Sequence, residues 1–221
     1  MVDLYDIYKI LYEHLGPQGW WPITPENSIK PVYRRENTLK EKNDVEKLEI
    51  SLGAILAQNT TWKNAEKAVS NLKRAGLFDR EKLRQADMKK LAEIIKPAGY
   101  YNQKAKKIIE FIRYNGEITR EALISIWGIG PETADSILLY AYNKPEFVVD
   151  AYTKRIFSRL GFFPENTSYE DVKRMFQDVL PENYVIFNEY HALIVEIGKR
   201  YCRKKPVCSD CPLKDICDYR K

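Results

Sequence analysis

The residues with the clearest chemical potential are a single carboxylate, Asp150, and the glycine-rich segment that ends sixteen residues before it, Ile126-Trp127-Gly128-Ile129-Gly130-Pro131-Glu132-Thr133-Ala134. Gly128 and Gly130 permit a tight turn and the close approach of another backbone. At the N-terminus of a following helix, the outward amides of Ile129 and Gly130 would suit a phosphate oxygen. An ordinary turn between two helices would carry the same glycines, so the segment alone leaves both interpretations open.

The second chemical group is a set of four cysteines, all within the last twenty residues of the chain: Cys202, Cys208, Cys211 and Cys217. No cysteine precedes them, which indicates a local ligand cluster rather than a disulfide framework. Four thiolates can bind a tetrahedral Zn²⁺ or a [4Fe–4S] cluster. Zinc sites usually use two C-x₂-C pairs, and only Cys208 and Cys211 form such a pair here. The spacing therefore favours the iron–sulfur cluster and leaves zinc as the alternative.

Composition limits the class of protein that carries these groups. The chain has 221 residues and a net charge of +5, a mild basic excess that is compatible with a polyanionic partner without requiring one. No apolar run approaches the roughly 20 residues that span a bilayer. The N-terminal segment 1–6 lacks a basic flank and an apolar core, so we expect a cytoplasmic protein. The abundance of Lys, Glu, Ile and Tyr hints at a thermophile.

The elements that must position these residues are helical. Apolar residues recur at helical spacing over residues 4–15, and again almost without pause from Leu48 onward. Residues 26–44 are polar and predict a linker or surface loop. The last long helix is expected from about Asn188 to Arg200. No segment shows convincing strand alternation, so the sequence predicts an all-α fold. Side chains expected to start helices are Asp87, Thr119, Asp150 and a capping box over residues 167–170.

Together, the hairpin, the following aspartate and the terminal cysteines resemble the endonuclease III superfamily of helix–hairpin–helix DNA glycosylases, over roughly residues 45–217. The resemblance implies two helical domains with an active-site cleft between them. One is a six-helix domain of residues 45–145 that contains the hairpin. The other combines residues 1–44 and 146–221 and carries the cluster loop. The first cysteine gap is five residues here, where the commonest family pattern has six.

The same resemblance assigns roles to individual residues. Gly128, Ile129 and Gly130 would grip the DNA backbone, Asp150 would be the essential carboxylate, and the four cysteines would hold a [4Fe–4S] cluster. The implied partner is double-stranded DNA that contains a damaged base. We expect a monomer that is associated with the nucleoid of a prokaryotic cell and has no membrane partner.

Glu132 departs from the family pattern in an informative way. Bifunctional members carry a lysine at this position, and it attacks the sugar C1′ carbon. A carboxylate cannot form the Schiff base that strand cleavage requires. The resemblance therefore implies a monofunctional enzyme, without AP lyase activity, in which Glu132 faces the base pocket. Considered on its own, Glu132 is more often an ordinary first-turn residue that the helix dipole favours.

The aromatic residues resemble those of a branch that excises 3-methyladenine. In that branch an aromatic pair sandwiches the flipped base, and the pair maps onto Trp20 or Trp21 together with Trp62. A basic residue near the pocket maps onto Lys199. Some members carry a carboxylated lysine deeper in the final helix, and the aligned residue here is Leu193, so we expect that feature to be absent. A structural interpretation, a buried staple between elements, remains open for the tryptophans.

Further residues are predicted to contact DNA. Gln58 and, by position, Tyr100 are candidates to fill the space that a flipped base leaves. Phosphate contacts are expected from Lys154 and from its basic neighbours Lys104, Lys107 and Arg155. Each has a structural alternative, a packed aromatic at a helix end for Tyr100 and a solvated surface charge for the basic residues.

The most favoured function is a DNA base-excision repair glycosylase that removes an alkylated purine such as 3-methyladenine and leaves an abasic site. A base alkylated at a ring nitrogen is cationic and leaves without protonation, so the enzyme needs an aromatic pocket and a carboxylate facing the sugar. The alternative is a glycosylase for mispaired thymine or uracil. A non-catalytic DNA-binding module is a further alternative, although such a module gains nothing from a carboxylate near phosphates.

Overall fold

Twelve α-helices and three 3-10 helices account for the secondary structure of residues 2–220, the part of the chain that the computed structural model describes. In chain order the α-helices are α1 (Leu4–Leu15), α2 (Arg35–Leu39), α3 (Asp44–Ala57), α4 (Trp62–Arg74), α5 (Arg80–Arg84), α6 (Met88–Ile94), α7 (Tyr101–Arg113), α8 (Arg120–Ser125), α9 (Pro131–Tyr142), α10 (Ala151–Arg159), α11 (Tyr169–Val179) and α12 (Tyr184–Arg200). The 3-10 helices are Lys96–Ala98, Lys214–Ile216 and Asp218–Arg220.

The prediction of an all-α fold is confirmed. Within residues 2–220 there is no β-strand, and the single β-bridge joins Ile23 to Val32. None of the described helices has the length and apolar character needed to cross a membrane.

Helix starts follow the predicted caps in three places. The side chains of Asp87, Thr119 and Asp150 accept hydrogen bonds from backbone amides in the first turns of α6, α8 and α10. Each such bond satisfies one of the amides that a helix start leaves without a partner. These caps locate the helix boundaries from sequence alone.

Three boundaries differ from expectation. The cap of α11 is Ser168, which accepts from the amide of Asp171, so the capping box predicted over residues 167–170 is wrong. The last helix begins at Tyr184 rather than near Asn188, because Asn183 caps it. The predicted linker of residues 26–44 contains the short helix α2.

Helix α3 is the central element of the first half of the chain. All its residues from Leu48 to Leu56 are buried, and the helix packs against both α4 and α9. A Cβ atom at Gly53 would lie only 3.0 Å from Cζ2 of Trp21. Glycine at this position therefore lets the Trp21 indole lie directly on the helix backbone, and this contact joins the segment after α1 to α3.

The two ends of the chain meet around α12, which packs against α1 and α10. The aromatic rings of Phe147, Phe157, Phe176 and Tyr190 meet there, with 4.2 Å between the stacked centroids of Phe147 and Phe176. The Tyr190 hydroxyl donates a hydrogen bond of 2.7 Å to the carbonyl of Leu4. This packing favours the predicted pairing of residues 1–44 with 146–221, although Met1 and Lys221 lie outside the described residues.

A buried ion-pair network fixes helix α9. The Asp135 carboxylate is fully buried and accepts from Arg120 Nε at 2.8 Å, Lys173 Nζ at 2.9 Å and the Tyr169 hydroxyl at 2.8 Å. These partners lie on α8 and α11, so one carboxylate joins three helices. The Tyr169 hydroxyl also accepts from the amide of Val149 at 3.5 Å, which extends the network to the residue before Asp150.

Replacement of Asp135 by asparagine should destabilise the protein by about 3 kcal/mol, because it leaves the buried Lys173 and the half-buried Arg120 with one charged partner fewer. We expect the lower end of the range for buried ion pairs, since Lys173 and Arg120 keep ion pairs with Glu146 and Glu170. The measurement is equilibrium unfolding in denaturant.

The matched control is Glu170→Gln, which removes an exposed member of the same network and should cost less than about 1 kcal/mol. Equal losses for Asp135→Asn and Glu170→Gln would contradict the assignment of Asp135 as the centre of the network.

Candidate active site

Asp150 combines two tasks, one for each carboxylate oxygen. Its Oδ1 accepts from the amide of Thr153 at 2.7 Å and from the Thr153 hydroxyl at 3.0 Å, so this oxygen caps α10. A buried apolar run, Phe147–Val149, leads directly into the cap and fixes its position. Oδ2 is the oxygen left for chemistry.

His191 faces that second oxygen. Its Nε2 lies 3.6 Å from Asp150 Oδ2, within ion-pair distance but longer than a hydrogen bond, and it has no hydrogen-bond partner. Its Nδ1 lies 2.5 Å from the hydroxyl of Tyr140, which is fully buried. If Tyr140 donates this bond, the imidazole proton sits on Nε2 and points toward Asp150. Tyr140, His191 and Asp150 therefore lie in a row, in which Tyr140 contacts the imidazole and the imidazole faces the carboxylate.

These surroundings keep Asp150 ionised. Burial on its own would raise the pKa of Asp150, because it removes water from the carboxylate. The imidazole of His191 and the hydrogen bonds from Thr153 outweigh that effect and hold the pKa below its ordinary value. The site thus presents a desolvated carboxylate that stays negative at neutral pH.

Glu132 is a second carboxyl group on the same cavity, in the first turn of α9. The residue is exposed at the cavity mouth, yet the surrounding protein still displaces much of the water from its carboxyl group. That desolvation, followed by the negative charge of Asp150, raises the pKa of Glu132 to about 7. Its carboxyl group makes no hydrogen bond or ion pair with any residue from 2 to 220. The cavity therefore holds two carboxyl groups whose pKa values are shifted in opposite directions, upward for Glu132 and downward for Asp150.

One cavity of about 390 Å³ brings most of the predicted site residues together. The predicted residues on its lining are Trp20, Trp21, Gln58, Trp62, Glu132, Asp150 and Lys199. His191, Thr133, Ser136 and Tyr152 also line it. The Lys199 ammonium lies 5.8 Å from the centre of the Trp20 ring, a cation–π distance.

The three tryptophans form a wall rather than a slot. Trp62 meets Trp20 and Trp21 with ring centroids 5.0 Å apart in both cases, at angles of 65° and 84°. A base between two parallel rings needs about 7 Å between them, twice a normal van der Waals separation. A sandwich of the predicted kind therefore requires one indole to move. Trp21 is held against α3, and the half-buried Trp20 and Trp62 are the rings left to adjust.

The hairpin differs from the prediction at the backbone amide of Ile129. Gly128 has a φ of 85°, and a Cβ there would lie 2.6 Å from Cγ of Lys107, so only glycine fits. The amide of Ile129 donates to the carbonyl of Ile126 at 3.0 Å. The expectation that this amide points outward is therefore wrong, because the tight turn uses it internally. The Gly130 amide makes no backbone hydrogen bond with the described residues and stays available at the start of α9.

Gln58 is bound to the hairpin. Its Nε2 donates to the carbonyl of Gly128 at 3.1 Å and to the hydroxyl of Thr133 at 2.9 Å, and its Oε1 accepts from Lys107 Nζ at 2.5 Å. Filling the space of a flipped base would require some of these bonds to break, and this role stays a prediction. Tyr100 is free of such bonds. It is 67% exposed, with a φ of 45°, just before α7.

The basic residues that were predicted to contact phosphate differ in how far they are buried. Lys104 is buried, and its ammonium donates to the carbonyls of Leu56 and Ala98 at 2.9 and 2.8 Å. The prediction that Lys104 contacts phosphate is therefore wrong, since it satisfies backbone carbonyls inside the protein. Lys154 is half-buried and donates to the carbonyl of Thr167 at 2.7 Å. Arg155 donates to the carbonyl of Cys202 at 2.8 Å.

The four cysteine thiols line one small apolar cavity of about 30 Å³ and form no disulfide. Cys202 Sγ accepts from Arg159 Nη1 at 3.3 Å. Burial is the largest cause that raises the pKa of Cys211 and of Cys217, and it favours their neutral thiol forms. Among residues 2–220, no three or more His, Cys, Asp or Glu side chains converge on a point where a metal ion could bind.

His191 and Tyr140 are the site residues that sequence reasoning missed. A usable signal was present on α12, where His191, Val195 and Lys199 recur at intervals of four residues and all line the cavity. Lys199 was predicted to lie in the pocket, so the residue two turns earlier was a candidate for the same face. Nothing in the sequence around Tyr140 distinguishes it from the other buried residues of α9.

Comparison with known proteins gives matches over most of the chain. The family model described as HhH-GPD superfamily base excision DNA repair protein matches residues 52–182. A protein of Methanocaldococcus jannaschii, provisionally named as a DNA repair glycosylase, is 43% identical over 97% of this chain and 95% of its own length. Endonuclease III of Sulfolobus acidocaldarius is 32% identical over 76% of this chain and 80% of its own length.

A solved structure resembles this one closely. It is the H. pylori 3-methyladenine DNA glycosylase MagIII, bound to 1,N6-ethenoadenine. The two structures superpose with a TM-score of 0.68, at 27% sequence identity, over 89% of this chain and 97% of that chain.

Replacement of His191 by phenylalanine should raise the pKa of Asp150, because burial then acts without the compensating imidazole. A carboxylate with a depressed pKa stabilises the folded state above its unfolded pKa, and this contribution disappears as the pH falls through the folded pKa. In His191→Phe, the contribution of the Asp150 carboxylate to the stability of the folded state should therefore be smaller. The measurement is a ¹³C NMR titration of the carboxyl carbon, assigned with Asp150→Asn.

His14→Phe is the matched control, because His14 is the other histidine of the chain and lies away from the cavity. An Asp150 titration that is the same in His191→Phe and in the wild type would refute the coupling.

Proposed function

The chain belongs to the HhH-GPD superfamily of base excision DNA repair proteins, and on that basis we propose that it is a monofunctional DNA glycosylase that removes alkylated purines. Membership makes it a DNA repair glycosylase of the endonuclease III family, with DNA as its partner. The finer proposal rests on one observation: a single cavity joins an ionised carboxylate, only 14% exposed, to a wall of three indoles.

The cavity supports the predicted arrangement of two domains around a cleft. Its lining comes from α3, α4 and α9 on one side of the sequence division, and from residues 20–21, α10 and α12 on the other. Seven α-helices fall within or overlap residues 45–145, including the five-residue α5, where six were expected. A flipped nucleotide would enter between the two sets of helices, while the hairpin before α9 holds the DNA backbone through the Gly130 amide.

Asp150 is the residue that acts on the sugar. Cleavage of the N-glycosidic bond leaves positive charge on the deoxyribose ring, and a negative oxygen near that ring stabilises the transition state. Asp150 Oδ2 suits this role, since Oδ1 is committed to Thr153. His191 keeps the carboxylate ionised, and Tyr140 orients the imidazole. Water then adds to the sugar, which leaves an abasic site.

Alkylated purines suit the wall of three indoles that lines the cavity. Alkylation at a ring nitrogen makes the base cationic, and indole faces attract such a ring with about 0.5–2 kcal/mol. The negative charge of Asp150 adds to this attraction. The structural similarity to the H. pylori 3-methyladenine glycosylase supports the same choice.

The absence of strand cleavage follows from Glu132. This residue occupies the place of the lysine with which bifunctional relatives attack the sugar, and a carboxyl group forms no Schiff base. The lysine that does line the cavity, Lys199, lies on α12 with its ammonium over the Trp20 ring.

We further propose that the cysteines hold a [4Fe–4S] cluster. The arrangement of four thiols around one cavity and the Arg159 hydrogen bond to Cys202 favour a group with several thiolate ligands. Bound there, the cluster would supply the positive charge that keeps all four sulfurs as thiolates. It would also hold the loop after α12 against α10, which starts at Asp150.

Asp150→Asn should lower base release by about 10²-fold or more, since it removes the charge that stabilises the sugar cation. The assay is single-turnover release of 3-methyladenine from methylated duplex DNA, alongside duplexes that contain deaminated or oxidised bases. Wild-type reactions should leave the strand intact until alkali is added, and borohydride should trap no covalent complex.

The matched control is Asp87→Asn, which changes the cap of α6 in the same way but lies outside the cavity. Retained DNA binding with lost base release supports the assignment. Undiminished release by Asp150→Asn would remove Asp150 from the mechanism, and strand cleavage without alkali would refute the monofunctional proposal.

The cysteine proposal predicts a brown protein with a broad visible absorption band and about four iron atoms per chain. Cys208→Ser should abolish the colour, whereas Ser209→Ala in the same loop should keep it. A colourless wild-type protein with one zinc per chain would show instead that the site binds zinc.

A further inference from the structure

We propose that Glu132 is a second catalytic residue of this cavity, which donates the proton that allows an uncharged base to leave. The inference rests on the proposed glycosylase function and extends it, because alkylated purines need no such proton. Glu132 would thus turn a site suited to cationic bases into one that also removes neutral ones.

The geometry sets Glu132 apart from Asp150. Both line the same cavity, but Asp150 has one oxygen bound to Thr153 and the other facing His191. The Glu132 carboxyl group makes no hydrogen bond or ion pair with the described residues. It does not cap α9 either, since that helix starts at Pro131 without any side-chain cap. An uncommitted carboxyl group on an aromatic cavity is available to a ligand.

The negative charge of Asp150, at the start of α10, favours the protonated form of Glu132, and His191 on α12 opposes it. Lys199 of α12 and the Tyr152 phenol lie on the same cavity, and Tyr169 of α11 also interacts with Glu132. The lining that comes from α3, α4 and the link between them is neutral. The loss of water from its carboxyl group and then the charge of Asp150 raise the pKa of Glu132 to about 7, and His191 opposes them only in part. Separated pKa values in a carboxyl pair typically mark one acid and one ionised partner.

The proposed step balances as follows. The carboxylic acid of Glu132 transfers its proton to a ring nitrogen or carbonyl oxygen of the base as the C1′–N bond breaks. The bond's electron pair leaves with the base, which departs neutral. Asp150 stabilises the sugar cation, water adds to C1′, and the proton that this water releases passes to solvent. Glu132 is then reprotonated from solvent.

The need for a proton donor depends on the charge of the base. A cationic purine leaves as a neutral molecule without a proton, so general acid catalysis gains it little. An uncharged base would leave as an anion, and an acid with a pKa near the working pH accelerates such a step by about 10²–10⁴-fold. Two substrates of different charge therefore separate the role of Glu132 from that of Asp150.

The experiment compares Glu132→Gln with wild type on two duplexes, one with uracil opposite guanine and one with 7-methylguanine. Single-turnover release of uracil should fall by about 10²–10⁴-fold in the variant. Release of 7-methylguanine should fall by a much smaller factor than release of uracil, because this base leaves without a proton. Glu121→Gln, in the exposed first turn of α8, is the matched control and should change neither rate.

The pH profile gives a second readout that a purely structural role would not produce. In the wild type, uracil release should decline as the pH rises through about 7, where Glu132 loses its proton. Release of 7-methylguanine should lack this decline, and so should the residual uracil release by Glu132→Gln.

Three results would overturn the inference. One is wild-type release of 7-methylguanine without any release of uracil, which leaves the proposed function intact. Another is an equal loss of the release rate for uracil and for 7-methylguanine in Glu132→Gln. DNA affinity, measured by fluorescence anisotropy, distinguishes such a loss from weaker binding. The third is uracil release that Glu132→Gln leaves unchanged. If the wild type released uracil with the expected pH profile but no methylated base, the substrate proposal would fail and the role of Glu132 would stand.

Discussion

The structure depends on keeping one carboxylate ionised while most of its water is removed. Burial disfavours the charge on Asp150, and an isolated buried carboxylate would simply take up a proton. Three elements supply the compensation: the first turn of α10 through Thr153, helix α12 through His191, and helix α9 through Tyr140. These helices must meet at one place, and the Asp135 network and the aromatic core around Tyr190 hold them there.

The same constraint explains why the second carboxyl group behaves differently. Asp150 takes the hydrogen-bond donors available at the helix start, so Glu132 faces a negative neighbour without donors of its own. Desolvation then acts on it almost unopposed. The charge of Glu132 therefore changes near neutral pH, because its carboxyl group loses water and the Asp150 carboxylate lies nearby.

Local patterns allowed much of this fold to be predicted. Helix starts at Asp87, Thr119 and Asp150 follow from side chains that bond their own backbone, and such bonds need no knowledge of distant residues. The Ile129 amide, the burial of Lys104 and the edge-on tryptophans could not be predicted this way. Each depends on atoms far away in sequence, and a lysine on a helix looks the same whether its ammonium reaches solvent or, as Lys104 does, the carbonyl of Leu56. His191 lies between these cases, since its helical spacing from Lys199 was visible but its partner Asp150 was forty-one residues away.

The hydrogen bonds of Gln58 have a consequence for how such an enzyme would search DNA. Gln58 ties the hairpin carbonyl of Gly128 to Thr133 on the cavity lining, and Lys107 braces it from α7. Three hydrogen bonds therefore connect the hairpin, the cavity lining and α7. If the hairpin holds a phosphate as proposed, the nucleotide that enters the cavity lies a fixed number of positions from that phosphate along the strand. Inspection of a long duplex can then proceed by backbone position, with no need to recognise the surrounding sequence.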